Sequence, residues 1–236
     1  MDADLLCRRG RRGLGQGVNP VSGPPVLKTR EPWRNPPRQA RSLARRKQLL
    51  QAGRLLFAEK GFEATSIADI TAKAGTAAGA FYIYFRSKQQ FLIALMNELL
   101  ERLSGVVLRP EGGSDVRQGL HRFLAAVFRV DRDYFGVVRA WQEASLTHPR
   151  LGKMQDAIQD WTHARVLRVF QLLQTHSNAR IDCDLHAFAR MMDRHFWSLL
   201  ARASRLSPKE FDREIGTAAD VIYHYLFCDP QEKSRS

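Results

Sequence analysis

The chain has 236 residues, of which 44% are hydrophobic and 26% are charged, a balance typical of globular proteins with one large or two small domains. No apolar run approaches the roughly 20 residues of a membrane-spanning helix, so we expect no membrane partner. The N-terminal arginines precede no apolar stretch, which argues against a secretory signal. The three cysteines lie far apart and no pair has metal-ligand spacing, so we expect no metal, no cofactor and a reduced cytoplasmic setting.

Positive charge is concentrated at the N-terminal end. The formal net charge is +13, and residues 1–48 hold twelve Lys and Arg against three Asp and Glu, which leaves only +4 for the rest. Residues 1–40 are rich in glycine and proline and lack apolar periodicity, so ordering them would cost entropy with little burial in return. We therefore predict a disordered basic arm. Two interpretations stay open: an arm that binds nucleic-acid phosphates, and a solubilising tail or over-extended chain start.

An amphipathic helix is predicted from about Ser42 to the glycine at position 61. Leu43, Leu50 and Phe57 recur every seven residues along it. Gly61 can take the left-handed conformation that often follows the last turn of a helix. Arginines and a lysine crowd the first turns, where the helix dipole disfavours cations, and an external anion such as phosphate would resolve that conflict.

Three more helices are predicted directly after the first one. The second, 66–74, begins with a serine and an aspartate at capping-box spacing. Gly75 makes the turn to a third helix at about 76–85, and a fourth runs over 87–108. Two short helices joined by a tight turn are the arrangement that places a helix in the major groove of DNA.

Every later segment is also predicted to be helical. Five further helices are predicted, at about 114–128, 135–147, 149–175, 184–206 and 207–226. The last has a strong start, because Pro208 suits the first helical position and Glu210 completes a capping box. Since no alternating strand pattern of useful length is present, the predicted fold class is all-α with about nine helices.

One block, from Leu56 to Lys88, carries a family resemblance. The residues that match stand in order at fixed spacing: Leu56, Phe57, Gly61, Phe62, Thr65, Ser66, Ile67, Asp69, Ile70, Ala74, Gly75, Gly79, Phe81, Tyr82, Tyr84, Phe85 and Lys88. They closely resemble the N-terminal domain of TetR-type transcriptional regulators. The remaining chain is similar to that family only in being a helical sequence of suitable length.

The resemblance implies a homodimeric bacterial regulator in which residues 67–86 form a helix-turn-helix and bind a double-stranded DNA operator. The implied domains are the arm at 1–40, a three-helix DNA-binding domain at 41–88 that extends into the helix 87–108, a helical ligand-binding and dimerisation domain at 89–229, and a tail at 230–236. Phe57, Phe62, Ile70 and Phe81 are expected to lock the three helices around a small core.

The expected DNA-binding residues follow from the matched motif and from the basic first helix. They are Arg45, Arg46, Thr65, Ser66, Thr76, Ala77, Ala78, Gly79, Ala80, Tyr82, Tyr84 and Lys88. Lys88 would supply a phosphate charge and the tyrosine hydroxyls would bond phosphates, although simple packing is an equal alternative for Tyr84. The alanines depart from the family, where many members carry Ser, Thr or a charged residue. Alanine can touch a thymine methyl but reads no donor or acceptor, so readout would fall to Thr76, Tyr82, Ser66 or the arm, or to DNA shape.

A second departure lies in the first helix. The family usually has alanine where this chain has Gly53, and glycine costs a helix interior about 1 kcal/mol relative to alanine.

The C-terminal half offers candidates but no diagnostic motif. Residues that could line a pocket for a mostly apolar ligand, with ordinary core packing as the alternative for each, are Phe123, Phe128, Trp141, Phe170, Met191, Phe196 and Trp197. Candidate polar anchors of that pocket are Arg139, Glu143 and His195, with a surface or satisfied-core position as the alternative. The residues expected at a dimer interface formed by the last helices are Phe211, Ile215, Ile222 and Leu226.

The predicted function is that of a repressor released from its operator by a small, mostly apolar effector. An alternative is a DNA-binding regulator controlled by a protein partner or by its own abundance. An enzyme is a remote alternative, because the sequence has no HExxH, GxSxG, P-loop or CxxC pattern and yields no candidate catalytic residue.

Overall fold

The computed structural model describes residues 23–28, 40–106, 108, 115–203 and 206–227, with the side chains of 130–133 left aside. Within these ranges it has nine helices: α1 (Ala40–Lys60), α2 (Ile67–Lys73), α3 (Gly79–Tyr84), α4 (Lys88–Ser104), α5 (Val116–Asp133), α6 (Phe135–Thr147), α7 (Pro149–Leu173), α8 (Leu185–Arg202) and α9 (Pro208–Leu226). The only strand-like pairing in the described part is an isolated bridge between Ala179 and Phe227. The all-α prediction is therefore confirmed. None of the described helices combines the length and apolar character needed to cross a membrane.

Helix starts agree with the caps read from the sequence. Ser66 and Asp69 form a full capping box at α2, and Ser207 and Glu210 form another at α9. Several ends differ from the prediction: the fifth helix continues to Asp133 rather than ending at 128, and the eighth ends at Arg202 rather than 206. The fourth helix stops at Ser104 rather than continuing to 108, and the third begins at Gly79 rather than near 76.

The first three helices pack around aromatic rings. The predicted core residues Phe57, Phe62, Ile70 and Phe81 are fully buried, which confirms that prediction. Phe91 of α4 joins them, with ring centroids 5.3 Å from Phe81 and 6.1 Å from Phe57. The N-terminal end of α4 is thus part of the core of the helix-turn-helix domain.

The helical body is built on α4 to α9. Helix α6 packs against α1, where Gly136 lies so close to Ala58 that a Cβ on residue 136 would fall 2.6 Å from the Ala58 Cα. Helix α5 packs against α9, with the rings of Phe128 and Phe211 5.8 Å apart. Helix α7 packs against α8, with Phe170 stacked on Phe188.

A short N-terminal segment is ordered against the body. The Leu27 side chain is only 4% exposed, and its backbone N–H donates to Asn97 Oδ1 (2.9 Å) while Asn97 Nδ2 donates to the Leu27 carbonyl (3.1 Å). Arg150 Nη2 donates to the Lys28 carbonyl at 2.9 Å. The prediction that all of residues 1–40 are disordered is therefore wrong for 23–28, because a buried leucine and paired backbone groups offset the cost of ordering. Residues 1–22, 29–39 and the predicted tail at 230–236 lie outside the described residues.

Candidate nucleic-acid interface and ligand cavity

Helices α2 and α3 are joined by a turn that depends on a left-handed glycine. Gly75 has φ of +63°, its N–H donates to the Ala72 carbonyl, and the N–H of Thr76 donates to the Thr71 carbonyl at 2.9 Å. This pair of bonds is a Schellman closure, which ends α2 and leaves the next residues in the turn. The leading edge of α3 is therefore a turn rather than a helical stretch, and α3 itself begins at Gly79.

Between residues 77 and 84, which comprise the end of the turn and α3, five residues are exposed: Ala77, Ala78, Gly79, Tyr82 and Ile83. Tyr82 is 47% exposed and Ile83 is 43% exposed. Ile83 was not predicted as a site residue, although helical periodicity could have found it, because the burial of Phe81 and Tyr84 leaves positions 82 and 83 outside. The roles of Ala77, Ala78, Gly79 and Tyr82 in DNA binding stay predictions.

Three of the predicted DNA-binding side chains are buried, and the structure contradicts their assignment. Thr65 is fully buried and its hydroxyl donates to the Gly61 carbonyl at 2.7 Å, which fixes the end of α1. Ala80 faces the core. Tyr84 is buried with its hydroxyl 3.0 Å from Ser42 Oγ, so packing is the correct alternative for this tyrosine.

The remaining polar candidates have local partners. Ser66 is exposed, and its hydroxyl accepts the N–H of Asp69 at 3.0 Å. The half-buried Thr76 hydroxyl donates to the Thr71 carbonyl at 3.4 Å. Lys88 Nζ donates to the Phe62 carbonyl at 2.7 Å and lies 4.4 Å from the centre of the Phe62 ring. Lys88 therefore holds the end of α1, and its phosphate contact stays a prediction.

The surface charge of the helix-turn-helix domain suits an anionic partner. Residues 40–88 hold nine Lys and Arg against three Asp and Glu, a net charge of +6. Arg45 and Arg46 are half-buried near the start of α1, and the Arg46 guanidinium lies 5.4 Å from the centre of the Phe85 ring. Burial lowers the pKa of Arg46 from its ordinary value, as expected for a cation drawn out of water.

The helical body contains a cavity of about 390 Å³, a size typical of small-molecule sites. Helices α4, α5, α7 and α8 provide most of its wall. The predicted pocket residues that line it are Phe123, Phe128, Phe170, Phe196 and Trp197. Further apolar lining comes from Met96, Leu99, Leu103, Val127, Val138 and Trp161.

Four other predicted pocket residues, Trp141, Glu143, Met191 and His195, do not line this cavity. Trp141 is buried with its indole N–H donating to Gln155 Oε1 at 2.8 Å. Met191 is 54% exposed and His195 is exposed beside it on the outer face of α8. Glu143 points to the helix-turn-helix domain, since its carboxylate accepts the N–H groups of Phe62 (2.9 Å) and Glu63 (3.1 Å).

The predicted dimer residues are also misplaced. Phe211, Ile215, Ile222 and Leu226 are each at most 4% exposed within the single chain. They face the core of the same protomer, where Phe211 packs on Phe128, so they have almost no area left for a partner. The prediction of these four as the dimer interface is wrong.

Several contacts join α6 to the helix-turn-helix domain. Besides the Glu143 carboxylate and the close approach of Gly136, the ring of Tyr134, which directly precedes α6, is contacted by two guanidinium groups, Arg54 of α1 at 4.8 Å from the ring centre and Arg102 of α4 at 5.2 Å. Gly61 has φ of +80°, and a Cβ on this residue would lie only 2.7 Å from Glu143 Oε2. The two parts of the chain are thus connected by charge-assisted bonds as well as by apolar packing.

These features coincide with a known family. A family model described as bacterial regulatory proteins, tetR family, matches residues 49–95. The uncharacterized HTH-type transcriptional regulator YvdT of Bacillus subtilis is 47% identical over 53 residues, which cover 22% of this chain and 27% of YvdT. The HTH-type transcriptional regulator BetI of Stenotrophomonas maltophilia is 28% identical over 150 residues, which cover 61% of this chain and 76% of BetI. The transcriptional repressor KstR2 of Mycolicibacterium smegmatis is 37% identical over 62 residues, which cover 26% of this chain and 30% of KstR2.

Solved structures resemble the chain over a longer range. The SmeT–triclosan complex has a TM-score of 0.61 at 21% identity and covers 79% of this chain and 93% of its own. The ketosteroid transcriptional regulator KstR2 of Mycobacterium tuberculosis has a TM-score of 0.58 at 20% identity and covers 78% and 96%. At such identities the likeness establishes the fold.

The class of protein is that of a helix-turn-helix transcriptional regulator with a helical C-terminal domain. The match over residues 49–95 shows that the N-terminal helices form a DNA-binding domain of the TetR type. The sequence matches cover less than a third of YvdT and of the M. smegmatis KstR2.

Proposed function

We propose that the protein is a cytoplasmic repressor that binds a double-stranded DNA operator as a homodimer and leaves it when a small, mostly apolar ligand enters the cavity. The observation that carries this proposal is the course of α4. Its first residues belong to the helix-turn-helix domain, and its last turns, through Met96, Leu99 and Leu103, form a wall of the cavity. A ligand that moved this wall would act on the DNA-binding surface through one rigid element.

Both ends of α4 are held by cations. At its start, Lys88 donates to carbonyls of Phe62 and Glu63 at the end of α1. At its other end, Arg165 of α7 donates to the carbonyls of Leu103 (2.8 Å) and Val106 (3.1 Å). A cation at the C-terminus of a helix satisfies its free carbonyls and complements its dipole. A displacement of α7 by a ligand would therefore be passed to α4.

Helix α6 supplies a second connection. It contributes Val138 to the cavity wall, and its Glu143 accepts two backbone N–H groups just after α1. The mechanism we propose is a population shift, in which the ligand favours a state whose recognition helices no longer fit successive major grooves about 34 Å apart. Emptying a nearly full operator requires the ligand to favour that state by about 5.5 kcal/mol.

The test uses an operator selected from a random DNA library by the full chain. Compounds that raise the melting temperature are then added to the protein–operator complex, since a ligand at 100 times its Kd adds about 2.7 kcal/mol of stability. We expect such a compound to lower operator affinity in fluorescence anisotropy. If every stabilising compound leaves the operator occupied, the ligand-released repressor is refuted.

Glu143 separates coupling from binding in the same assay. Glu143→Gln keeps the shape but replaces a carboxylate acceptor by an amide, so we expect ligand affinity without DNA to stay unchanged while the ligand-induced loss of operator affinity shrinks. Glu101→Gln, at an exposed position on α4, is the matched control. Equal coupling in both variants would exclude the α6 connection.

A further inference from the structure

Four polar residues interrupt the apolar wall of the cavity: Thr162, Arg165, Arg168 and Asp193. Three of them have partners. Asp193 interacts with Thr162, whose hydroxyl donates to the Gln159 carbonyl at 3.1 Å and accepts the indole N–H of Trp197 at 3.4 Å. Arg165 donates to the carbonyls at the end of α4 and lies 4.9 Å from the centre of the Trp161 ring.

Arg168 differs from the other three. Its Nη1 is buried and has no hydrogen-bond partner among the residues that the structure describes. A buried donor on a charged group pays the cost of leaving water without recovering it, and such donors are usually paired. The rest of the Arg168 side chain is half-buried and lines the cavity, so an acceptor that enters the cavity from outside the protein can bond to this guanidinium.

We propose that the cavity binds an amphipathic carboxylate whose anionic end accepts hydrogen bonds from Arg168. Its apolar body would lie among the aromatic lining, for example Phe123, Phe170 and Phe196. The planar guanidinium matches a carboxylate in shape and charge, and its bonds to an anion are roughly twice as strong as neutral ones. This inference rests on the proposed function only in taking the cavity as the effector site.

Other charge types fit less well. A phosphate dianion would need a second available cation, but Arg165 is already engaged by the end of α4. A cationic ligand would have to use Asp193, which interacts with Thr162 and whose pKa is raised to about 6 by burial. Thr162 and Arg168 are six residues apart, about 9 Å along α7, so Asp193 and Arg168 lie toward different ends of the cavity.

The test is calorimetric titration of the full chain without DNA, with probes matched in shape. Each probe carries a carboxylate, an ammonium or a hydroxyl group on the same body, either a decyl chain or a naphthylethyl group. We expect the carboxylate of at least one body to bind about tenfold or more tightly than its alcohol. Arg168→Met should weaken that carboxylate about tenfold to a hundredfold and leave the alcohol unchanged. Arg168→Lys, which keeps a cationic donor, should retain part of the preference.

Two controls keep the result specific. Arg190→Met removes an exposed arginine from α8 and should change no affinity. Arg168→Met should also raise the melting temperature of the ligand-free protein, because it removes the unsatisfied donor. If Arg168 had only a structural role, the same change would lower the melting temperature.

The proposal is overturned if the ammonium probe binds most tightly and Asp193→Asn abolishes its binding, or if neither carboxylate binds. These outcomes are distinct from failure of the repressor function. If a carboxylate binds but leaves the operator occupied, only the proposed release of the operator by a ligand is refuted. If only neutral or cationic compounds release the operator, only the proposed specificity of the cavity for a carboxylate is refuted.

Discussion

Replacing Gly53 by alanine should destabilise the protein, although alanine is the better helix former. A Cβ on residue 53 would overlap the edge of the Phe91 ring. That ring is fully buried, with centroid distances of 4.9 Å to Phe85 and 5.3 Å to Phe81, so it has little room to move. Overpacking costs about 1–3 kcal/mol and the helix propensity returns about 1 kcal/mol, which leaves a net loss of about 1 kcal/mol.

The assay is urea denaturation followed by far-UV circular dichroism at a fixed protein concentration. Gly119→Ala in α5 is the matched control, since a Cβ there meets nothing within 4 Å and the variant should gain about 1 kcal/mol. In the background of Phe91→Leu, Gly53→Ala should lose less than it does alone, because the two changes share one contact. If Gly53→Ala is as stabilising as Gly119→Ala, the close packing of α1 on α4 is refuted.

Three further variants test separate contacts. Leu27→Ala should lower the free energy of unfolding by about 2 kcal/mol, at the low end for a buried leucine because only a short segment is released. Val26→Ala, at a 73% exposed position in the same segment, is the control, and equal effects of the two changes would show that 23–28 is not docked. Lys88→Met should lower the free energy of unfolding, measured in urea, by about 1.5 kcal/mol because the carbonyl bonds of Lys88 are lost. It should also reduce the slope of log DNA affinity against log salt concentration by about 1. An unchanged slope would show that Lys88 bonds only to the carbonyls and not to phosphate. Because the pKa of Asp193 is raised to about 6, the native state binds this proton more tightly than the unfolded chain does, and the contribution of Asp193 to stability falls as pH rises from about 4 to about 6 and is constant above about 7. The free energy of unfolding of Asp193→Asn, measured relative to the unchanged protein, should therefore rise over that window. A difference that does not change with pH would contradict the pKa shift.

Local signals in the sequence predicted the helices well, because caps and glycine turns act over a few residues. The capping boxes at Ser66 and Ser207 marked α2 and α9 to within a residue. Gly61 and Gly75 both have positive φ, where glycine was expected to end a helix or make a turn. The aromatic core of the helix-turn-helix domain followed from a motif whose residues stand close together in the chain.

The misassigned residues depended on contacts between distant segments. The apolar stripe on α9 shows that one face is buried, but periodicity does not tell whether α5 of the same protomer or a second copy covers it. Glu143 follows Trp141 by two positions and faces another direction, toward N–H groups about eighty residues earlier. The docking of Leu27 on Asn97 spans 70 residues and lies in a segment whose composition is typical of disorder.

The exposed chemistry of α3 limits how this protein can read DNA. Of the exposed residues Ala77, Ala78, Gly79, Tyr82 and Ile83, only Tyr82 has a side chain that forms hydrogen bonds. Base discrimination by bidentate hydrogen bonds, worth about 1–3 kcal/mol for each pair, is therefore unavailable to this face. Methyl groups can still contact thymine methyls, and a net charge of +6 on residues 40–88 provides attraction that is independent of sequence. Recognition of an operator in this way should depend on thymine positions and on groove shape. Replacing thymine by uracil removes only the methyl group. This replacement should weaken DNA binding by this protein more than DNA binding by a regulator that reads purines through arginine.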